Sequence, residues 1–356
     1  MPPSWILSPR PSPVWTRSPV RTPDFWATDA FPARFLEPFG FLYGAATRRR
    51  LRRGRPVDVG VPVICVGNLT AGGAGKTPVA QAVMTLVRAL GLEGHFLSRG
   101  HGGSLRGPVR VDPIRHGADE VGDEPLLLSD LAPCWVARDR VQGARAAVAE
   151  GAQVLVMDDG HQNPSLVKAL SLVVVDGGFG FGNRRLIPAG PLREPIRAGL
   201  ARADAVIRLG PDSVGLDPWM PPGLPVLGAH LEPGPSAARL AGQRVVAFAG
   251  IGRPAKFFAT LRALGAEVVA EHPFADHYPY AETDIQPILD EAWTLQAVPV
   301  TTAKDAMRLP PDQRPQVDVV GVRVAFEDPA AFRAVLAPVL GRILAPSPPP
   351  LLFPES

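Results

Sequence analysis

The chain has 356 residues, a formal charge of +3 and two cysteines, Cys65 and Cys134. That length admits two domains with well-buried cores. Two cysteines supply neither a disulfide framework nor a metal-binding spacing, and the modest charge excludes a chain that binds nucleic acid over its whole surface.

Residues 1–23, rich in Pro, Ser and Arg, carry no apolar core pattern and no secretory h-region, and are expected to be unstructured or to precede the true start. No uncharged apolar run reaches the roughly 18–20 residues that span a bilayer, so a soluble chain is expected. Residues 24–55 differ in kind: Phe31, Phe35, Phe39, Leu42, Tyr43 and Ala46 recur at helical spacing, with six arginines between Arg48 and Arg55 directly after them. Pro38 is expected to kink this helix or divide it in two. Two readings stand level: a helix packed on the protein's own core, or an interfacial helix with aromatics at the acyl boundary and arginines on anionic headgroups.

The apolar strand pattern Val61–Val66 runs into Gly67-Asn-Leu-Thr-Ala-Gly-Gly-Ala-Gly-Lys-Thr-Pro78, and a helix is predicted over Pro78–Leu90. Strand, glycine-rich turn and helix together describe a phosphate cradle, in which backbone N–H groups and the helix N-terminus close on an anion. Residues Thr70, Ala71, Gly72, Gly73, Ala74, Gly75, Lys76 and Thr77 form the candidate nucleotide loop. Lys76 reaches β/γ-phosphates and the Thr77 hydroxyl ligates Mg²⁺. The usual pattern wants glycine at position 70, where this chain has threonine.

Farther along, Trp135–Ala137, Val154–Met157, Leu172–Val175 and Ala205–Arg208 read as strands, with a helix over Val141–Glu150. This rhythm predicts an α/β fold: a mostly parallel sheet with helices on both faces. Val154–Met157 ends in Asp158 and Asp159, the expected place for a carboxylate serving Mg²⁺. Cys65 lies in an apolar strand pattern and Cys134 beside Trp135, and both read as buried filler. Alone, Asp123 in Gly122–Pro125 reads as a helix cap, His277 as a loop histidine, and Arg193-Glu194 as part of a long proline-rich loop.

After a proline- and glycine-rich stretch near 216–235, a second β–helix–β unit follows. Its strands are predicted at Val245–Ala249, Glu267–Ala270, Val298–Thr302 and Val317–Val322. Its helices are predicted at Pro254–Leu264 and Pro329–Leu340, and residues 346–354 form a second proline-rich tail. No Asn-Lys-x-Asp guanine-reading motif occurs, which argues against a GTPase. An ATPase switch or a membrane-recruited assembly factor stays open on pattern alone, as does a kinase of another glycolipid.

Eight motifs in order carry a resemblance to a known family: Val66–Pro78, Leu97–Gly103, Gly122–Pro125, Asp158–Gln162, Pro188–Glu194, Phe248–Gly252, Asp276–Tyr278 and Thr301–Asp305. Over about residues 25–340 the chain resembles the tetraacyldisaccharide 4′-kinases of lipid A biosynthesis, whose first loop glycine is also replaced by Ser or Thr. The resemblance implies transfer of the ATP γ-phosphate, with Mg²⁺, to the 4′-hydroxyl of a tetraacyl disaccharide 1-phosphate at the cytoplasmic face of the inner membrane. It favours the interfacial reading of the N-terminal helix. It implies that Asp123 is the general base oriented by His277, that Lys76 serves the phosphates, and that Thr77, Asp158 and Asp159 form the metal neighbourhood. Arg99, His101, Gln162, Asn163, Arg193 and Glu194 become candidate substrate contacts. The chain departs from the family pattern at His101, His161, Asn163 and Ala303, and Asn163 cannot titrate. The expected organisation is a tail (1–23), an interfacial helix (24–56), a kinase domain with the phosphate loop (57–228), a smaller α/β domain (229–341) and a second tail (342–356). The protein is expected to be a monomer that binds no nucleic acid.

Overall fold

The computed structural model describes residues 23–28 and 30–344. Both proline-rich tails therefore lie outside the described residues, save for the few that border them.

The first helix, α1 (Phe31–Arg53), runs unbroken through Pro38. The expected division at that proline is absent. Its buried face is made of small residues, Ala33, Gly40, Gly44 and Thr47, seated on the loop around Leu186. A Cβ added to Gly40 would fall 3.0 Å from the Leu186 carbonyl oxygen, and one added to Gly44 would push on Leu186 Cδ1 at 2.5 Å, so glycine at these positions lets the helix lie close to the loop. The helix is thus docked on the protein by its small residues, while its aromatic side faces outward: Phe31 is 79% exposed, Phe35 69%, Phe39 54% and Leu42 69%.

Then come β1 (Val63–Gly67), α2 (Lys76–Ala89), β2 (Gly94–Ser98), β3 (Val109–Arg110), α3 (Ala118–Val121), α4 (Asp123–Ser129), β4 (Cys134–Val136), α5 (Arg140–Ala149), β5 (Val154–Asp158), β6 (Leu170–Asp176), α6 (Ile196–Leu200), β7 (Ala205–Leu209) and β8 (Val226–Pro233). The second unit holds β9 (Arg244–Ala249), α7 (Pro254–Ala263), β10 (Glu267–Pro273), α8 (Glu282–Thr294), β11 (Val298–Thr302), α9 (Ala303–Ala306) and β12 (Asp318–Val320). The chain closes with β13 (Val322–Phe326) and α10 (Pro329–Leu344).

Nine strands form one sheet in the order β13-β8-β7-β6-β1-β5-β2-β4-β3, and four form a second in the order β10-β9-β11-β12. The seven strands from β8 to β4 run parallel, and only the edge pairs β13–β8 and β3–β4 are antiparallel. Parallel strands covered on both faces need continuous apolar runs, and β1 (Val63-Ile-Cys-Val-Gly67) and β5 are buried at every position. On α2, Val79, Ala80, Val83, Met84 and Val87 recur at helical spacing and join one core with Ile64 and Val66. From β1 the chain crosses to one side of the sheet, and from β5 it returns to the other at β6. The loop after β1 therefore opens at a topological switch point, where such sheets bind ligands.

Three further features depart from the sequence expectation. The single strand expected over Val317–Val322 is two, broken at Gly321: β12 stays in the small sheet and β13 joins the large one beside β8. The expected boundary at 228/229 falls inside β8, and Phe332, Leu336 and Val339 of α10 pack into the large-sheet core, so residues 322–344 belong physically to the first unit. Strand β2 escaped the pattern because His95 interrupts it. That imidazole is buried and accepts a hydrogen bond from Trp135 Nε1 at 3.2 Å.

Candidate active site

The phosphate loop is built by local geometry. Gly75, at φ 82°, caps α2, and a Cβ there would also strike Leu209. Gly72 at φ 108° makes the preceding turn. Thr70 needs no such freedom, because it is buried and forms an extended bridge with Leu192. Its neighbours continue that pairing: Ala71 N–H donates to Pro191 O at 2.7 Å and Arg193 N–H to Leu69 O at 2.8 Å. Threonine suits extended backbone as well as glycine does, which explains the departure at this position.

Lys76 and Thr77 open α2 side by side, both nearly buried. The Thr77 hydroxyl donates to Asp158 Oδ2 at 3.1 Å, and Lys76 Nζ lies 3.8 Å from Asp159 Oδ1. Register explains the meeting: β1 and β5 are neighbours with Val66 opposite Asp158. Asp158 is fully buried and its Oδ1 has no hydrogen-bond partner. Burial pushes its carboxyl up to about 7, with the charges of Glu124 and Asp159 adding to the rise while Lys76 and Thr77 oppose it. Asp159 takes the opposite course. Burial raises it, but Lys76 and Arg193 outweigh that and hold it below the ordinary carboxylate range. Arg193 Nη1 grips both of its oxygens, at 2.8 and 3.0 Å.

The second cluster forms between the two units. Gly122, at φ 92°, turns the chain so that Asp123 begins α4. Asp123 is buried, and its Oδ2 lies 3.0 Å from His277 Nδ1, 3.7 Å from Arg308 Nε and 4.0 Å from Lys304 Nζ. Burial alone would raise this carboxyl. His277, Lys304 and Arg308 together hold it well below the usual range. His277 sits in the left-handed region at φ 58°, and its N–H donates to Gly250 O at 3.0 Å. The same carbonyl accepts from Arg308 Nη2 at 3.0 Å, while Asp305 Oδ1 accepts from Gly250 N–H at 2.9 Å. A Cβ at Gly250 would crowd the Tyr280 hydroxyl at 2.8 Å, so the motif Phe248–Gly252 is a packed hub. Across the same gap Arg253 of the small unit pairs with Asp176 at the end of β6, at 3.3 Å.

The candidate substrate contacts separate into two groups. Arg99 and His101 are exposed on the loop after β2. His101 joins the two clusters, with its ring centroid 6.3 Å from that of His277 and its charge acting on Asp159. Gln162 and Glu194 are instead buried and engaged by protein groups. Gln162 Nε2 donates to Asn68 O at 2.8 Å and to Glu194 Oε1 at 3.0 Å, and Arg202 donates to both Glu194 oxygens at 2.8 Å. Asn163 Oδ1 accepts from Ser165 N and Oγ, capping a turn. His161 is a buried neutral wedge whose Nε2 meets Gly199 O at 2.9 Å, and burial presses its pKa down to about 4. Lys304 and Arg308 were not singled out from the sequence, although the motif Thr301–Asp305 carried the signal for Lys304. The cysteines are inert filler as expected, since both are buried and burial pushes both thiols up.

A family model described as tetraacyldisaccharide-1-P 4′-kinase matches residues 32–341. The tetraacyldisaccharide 4′-kinase of Rhodospirillum rubrum is 68% identical over 329 residues, 91% of this chain and 99% of that one. Its counterpart in Rhodospirillum centenum is 56% identical over 90% of this chain and 97% of its own. Among solved structures, LpxK from Aquifex aeolicus in complex with ATP superposes with a TM-score of 0.70 at 27% identity, covering 86% of this chain and 99% of the other.

Proposed function

The chain belongs to the tetraacyldisaccharide-1-P 4′-kinase family, and from that premise we propose how its residues divide the work of moving the ATP γ-phosphate onto the 4′-hydroxyl of the lipid disaccharide. Lys76 and the loop 70–77 hold the β- and γ-phosphates. Asp123 accepts the proton of the attacking hydroxyl, oriented by His277. As the sugar oxygen bonds to the γ-phosphorus, its O–H proton passes to the Asp123 carboxylate and the bond to the β-phosphate oxygen breaks, leaving ADP. The observation carrying this reading is the 3.0 Å approach of His277 Nδ1 to Asp123 Oδ2 across the two units, beside a phosphate loop. The test is mass spectrometry of the product formed by purified protein from ATP and tetraacyldisaccharide 1-phosphate. A phosphate on the 4′-oxygen is expected, and ATP hydrolysis with no lipid product would overturn it.

The donor set fits Mg²⁺. Asp158 carries an unpartnered buried oxygen, and the Thr77 hydroxyl lies against its other one. Mg²⁺ wants one or two protein oxygens beside phosphate and water. When bound, the ion would neutralise charge on the transferring phosphoryl group; Thr77 and Asp158 would hold it, with Asp159 steadied nearby by Arg193. Because Asp158 keeps its proton up to about pH 7, cation binding must displace that proton. Calorimetry of pre-formed MgATP binding at pH 6.5, in buffers of different ionisation enthalpy, is expected to show release of about half a proton or more. Release should fade above pH 8 and vanish in Asp158→Asn; equal release by that variant would remove Asp158 from the metal site.

Arg99 and His101 are read as acceptor contacts. Gln162, Glu194 and Asn163 are read as braces that hold the phosphate loop and its partner loop in register. We read α1 as a membrane-docking element of a monomeric, peripheral enzyme on the cytoplasmic face of the inner membrane. In support, an exposed aromatic stripe adjoins six exposed arginines, and no helix among the described residues is long and apolar enough to cross a membrane. Each arginine at an anionic surface contributes about 1 kcal/mol. Wild-type protein is expected to sediment with anionic vesicles at low salt, and Phe35→Ala/Phe39→Ala/Leu42→Ala to lose most of that binding while keeping its ATP affinity. Equal sedimentation of the two would return the stripe to a structural role.

A further inference from the structure

Lys304 reaches the catalytic cluster from the small sheet, on the short helix α9 that follows β11. Its Nζ lies 3.1 Å from His277 Nε2, 3.4 Å from Glu124 Oε1 and 4.0 Å from Asp123 Oδ2. The other charged or titratable groups facing the imidazole are Asp276, with Oδ1 4.0 Å from Nε2, and His101, while Arg308 meets Asp123 from behind. An ammonium group has three donors and no acceptor. Burial works against the Lys304 charge, but Glu124, Asp123 and Asp276 outweigh it and raise its pKa, so the group stays protonated.

These facts leave His277 one compatible form. Facing an obligate donor, Nε2 must present its lone pair. The single hydrogen of the neutral ring is then on Nδ1, the nitrogen 3.0 Å from Asp123 Oδ2; that oxygen is buried and accepts no well-aligned hydrogen bond from any other group among the described residues. The other tautomer would set two donors against each other at Nε2 and a lone pair against a carboxylate at Nδ1. We propose that Lys304 is a positioning residue for phosphotransfer, holding His277 in the Nδ1–H tautomer that orients the Asp123 carboxylate. The proposal rests on the reading of Asp123 and His277 as the catalytic pair. It adds a coupling: Lys304 and His277 come from the small unit and Asp123 from the large one, so the base is oriented only while the two units are docked.

The test uses full-length enzyme, unlabelled for kinetics and ¹⁵N-histidine-labelled for NMR, with Lys304→Met and Lys304→Arg. In the wild type, His277 is expected as a single form protonated at Nδ1. In Lys304→Met the ring should become a tautomer mixture, and kcat should fall about 10- to 100-fold, the scale of a misplaced catalytic group. The acid limb of the kcat profile should move up by about half to one pH unit, because Lys304 is one of the cations that hold Asp123 down. KM for ATP should change little. Lys304→Arg, which also only donates, should restore both the single tautomer and the profile.

Wild-type enzyme with the hydrogen on Nε2 overturns the proposal, and that spectrum needs no variant to fold. So does a Lys304→Met enzyme with unchanged ring signals and an unmoved profile, whatever its kcat, since Lys304 would then only fasten the units through Glu124. If instead Asp123→Asn keeps full activity, the catalytic-pair reading fails by itself, and the ring spectra still judge the tautomer.

Discussion

Asp123→Asn is expected to lower kcat by about 10²- to 10⁴-fold, the usual weight of general-base catalysis, while ATP affinity stays near wild type. The amide keeps the size of the carboxyl but cannot accept the hydroxyl proton. It also leaves Lys304 and Arg308 facing a neutral group at 4.0 and 3.7 Å, so a stability measurement must accompany the kinetics. The sign of that second effect is fixed. The Asp123 carboxyl is held below its ordinary range by His277, Lys304 and Arg308 in spite of its burial. Its contribution is therefore complete above the unfolded carboxylate pKa, about 3.9, and is lost only in stronger acid as the folded group protonates. Asp123→Asn should remove that part of the acid sensitivity. His277→Ala should cost less activity, because an unoriented carboxylate still accepts a proton. The double variant should be little worse than Asp123→Asn, since groups acting as one unit are non-additive. Fully additive losses in kcat, measured with ATP saturating, would show that the two residues act independently.

The two halves of this site were legible to different degrees, and the reason is distance along the chain. Lys76, Thr77 and Asp158 could be read from local pattern, because a parallel sheet puts the ends of adjacent apolar strands beside each other. Asp123 and His277 are 154 positions apart and belong to different units. Singly, each has the signature of a helix cap or a solvated loop residue, and only the ordered set of motifs joined them. Lys304 lies inside the motif Thr301–Asp305 and Arg308 three positions beyond it, yet neither is marked locally, since nothing in the sequence says that the end of β11 faces α4. Gln162 and Glu194 became candidate contacts through the resemblance alone, and nothing in their local sequence announces the Asn68 carbonyl and the Arg202 guanidinium that engage them inside the protein. The break at Gly321 is masked because valines recur on both sides of it in Val317–Val322, although the two halves serve different sheets.

Lys76→Ala and Thr77→Ala are both expected to abolish measurable phosphotransfer, but by separable losses. Lys76 stands at the N-terminus of α2, its ammonium 3.8 Å from Asp159. A lysine so placed stabilises charge that develops on the phosphoryl group, and this kind of interaction acts mainly in the transition state. Removing it should lower kcat by about 10²- to 10³-fold or more, and added Mg²⁺ should not restore it. Thr77 gives one hydroxyl, now hydrogen-bonded to Asp158 at 3.1 Å. Its loss would remove the proposed cation ligand and also the Thr77 hydrogen bond that favours the charged form of Asp158. Thr77→Ala should therefore raise the Mg²⁺ concentration needed for half-maximal activity, and excess Mg²⁺ should recover part of the rate. Thr77→Ser, which keeps the hydroxyl, should stay close to wild type. The separation is read from kcat against Mg²⁺ at saturating ATP. If either alanine variant keeps activity within about tenfold of wild type, less than about 1.4 kcal/mol of barrier, the nucleotide is not held by this loop as described. If Mg²⁺ rescues Lys76→Ala and not Thr77→Ala, the roles of the two side chains are reversed.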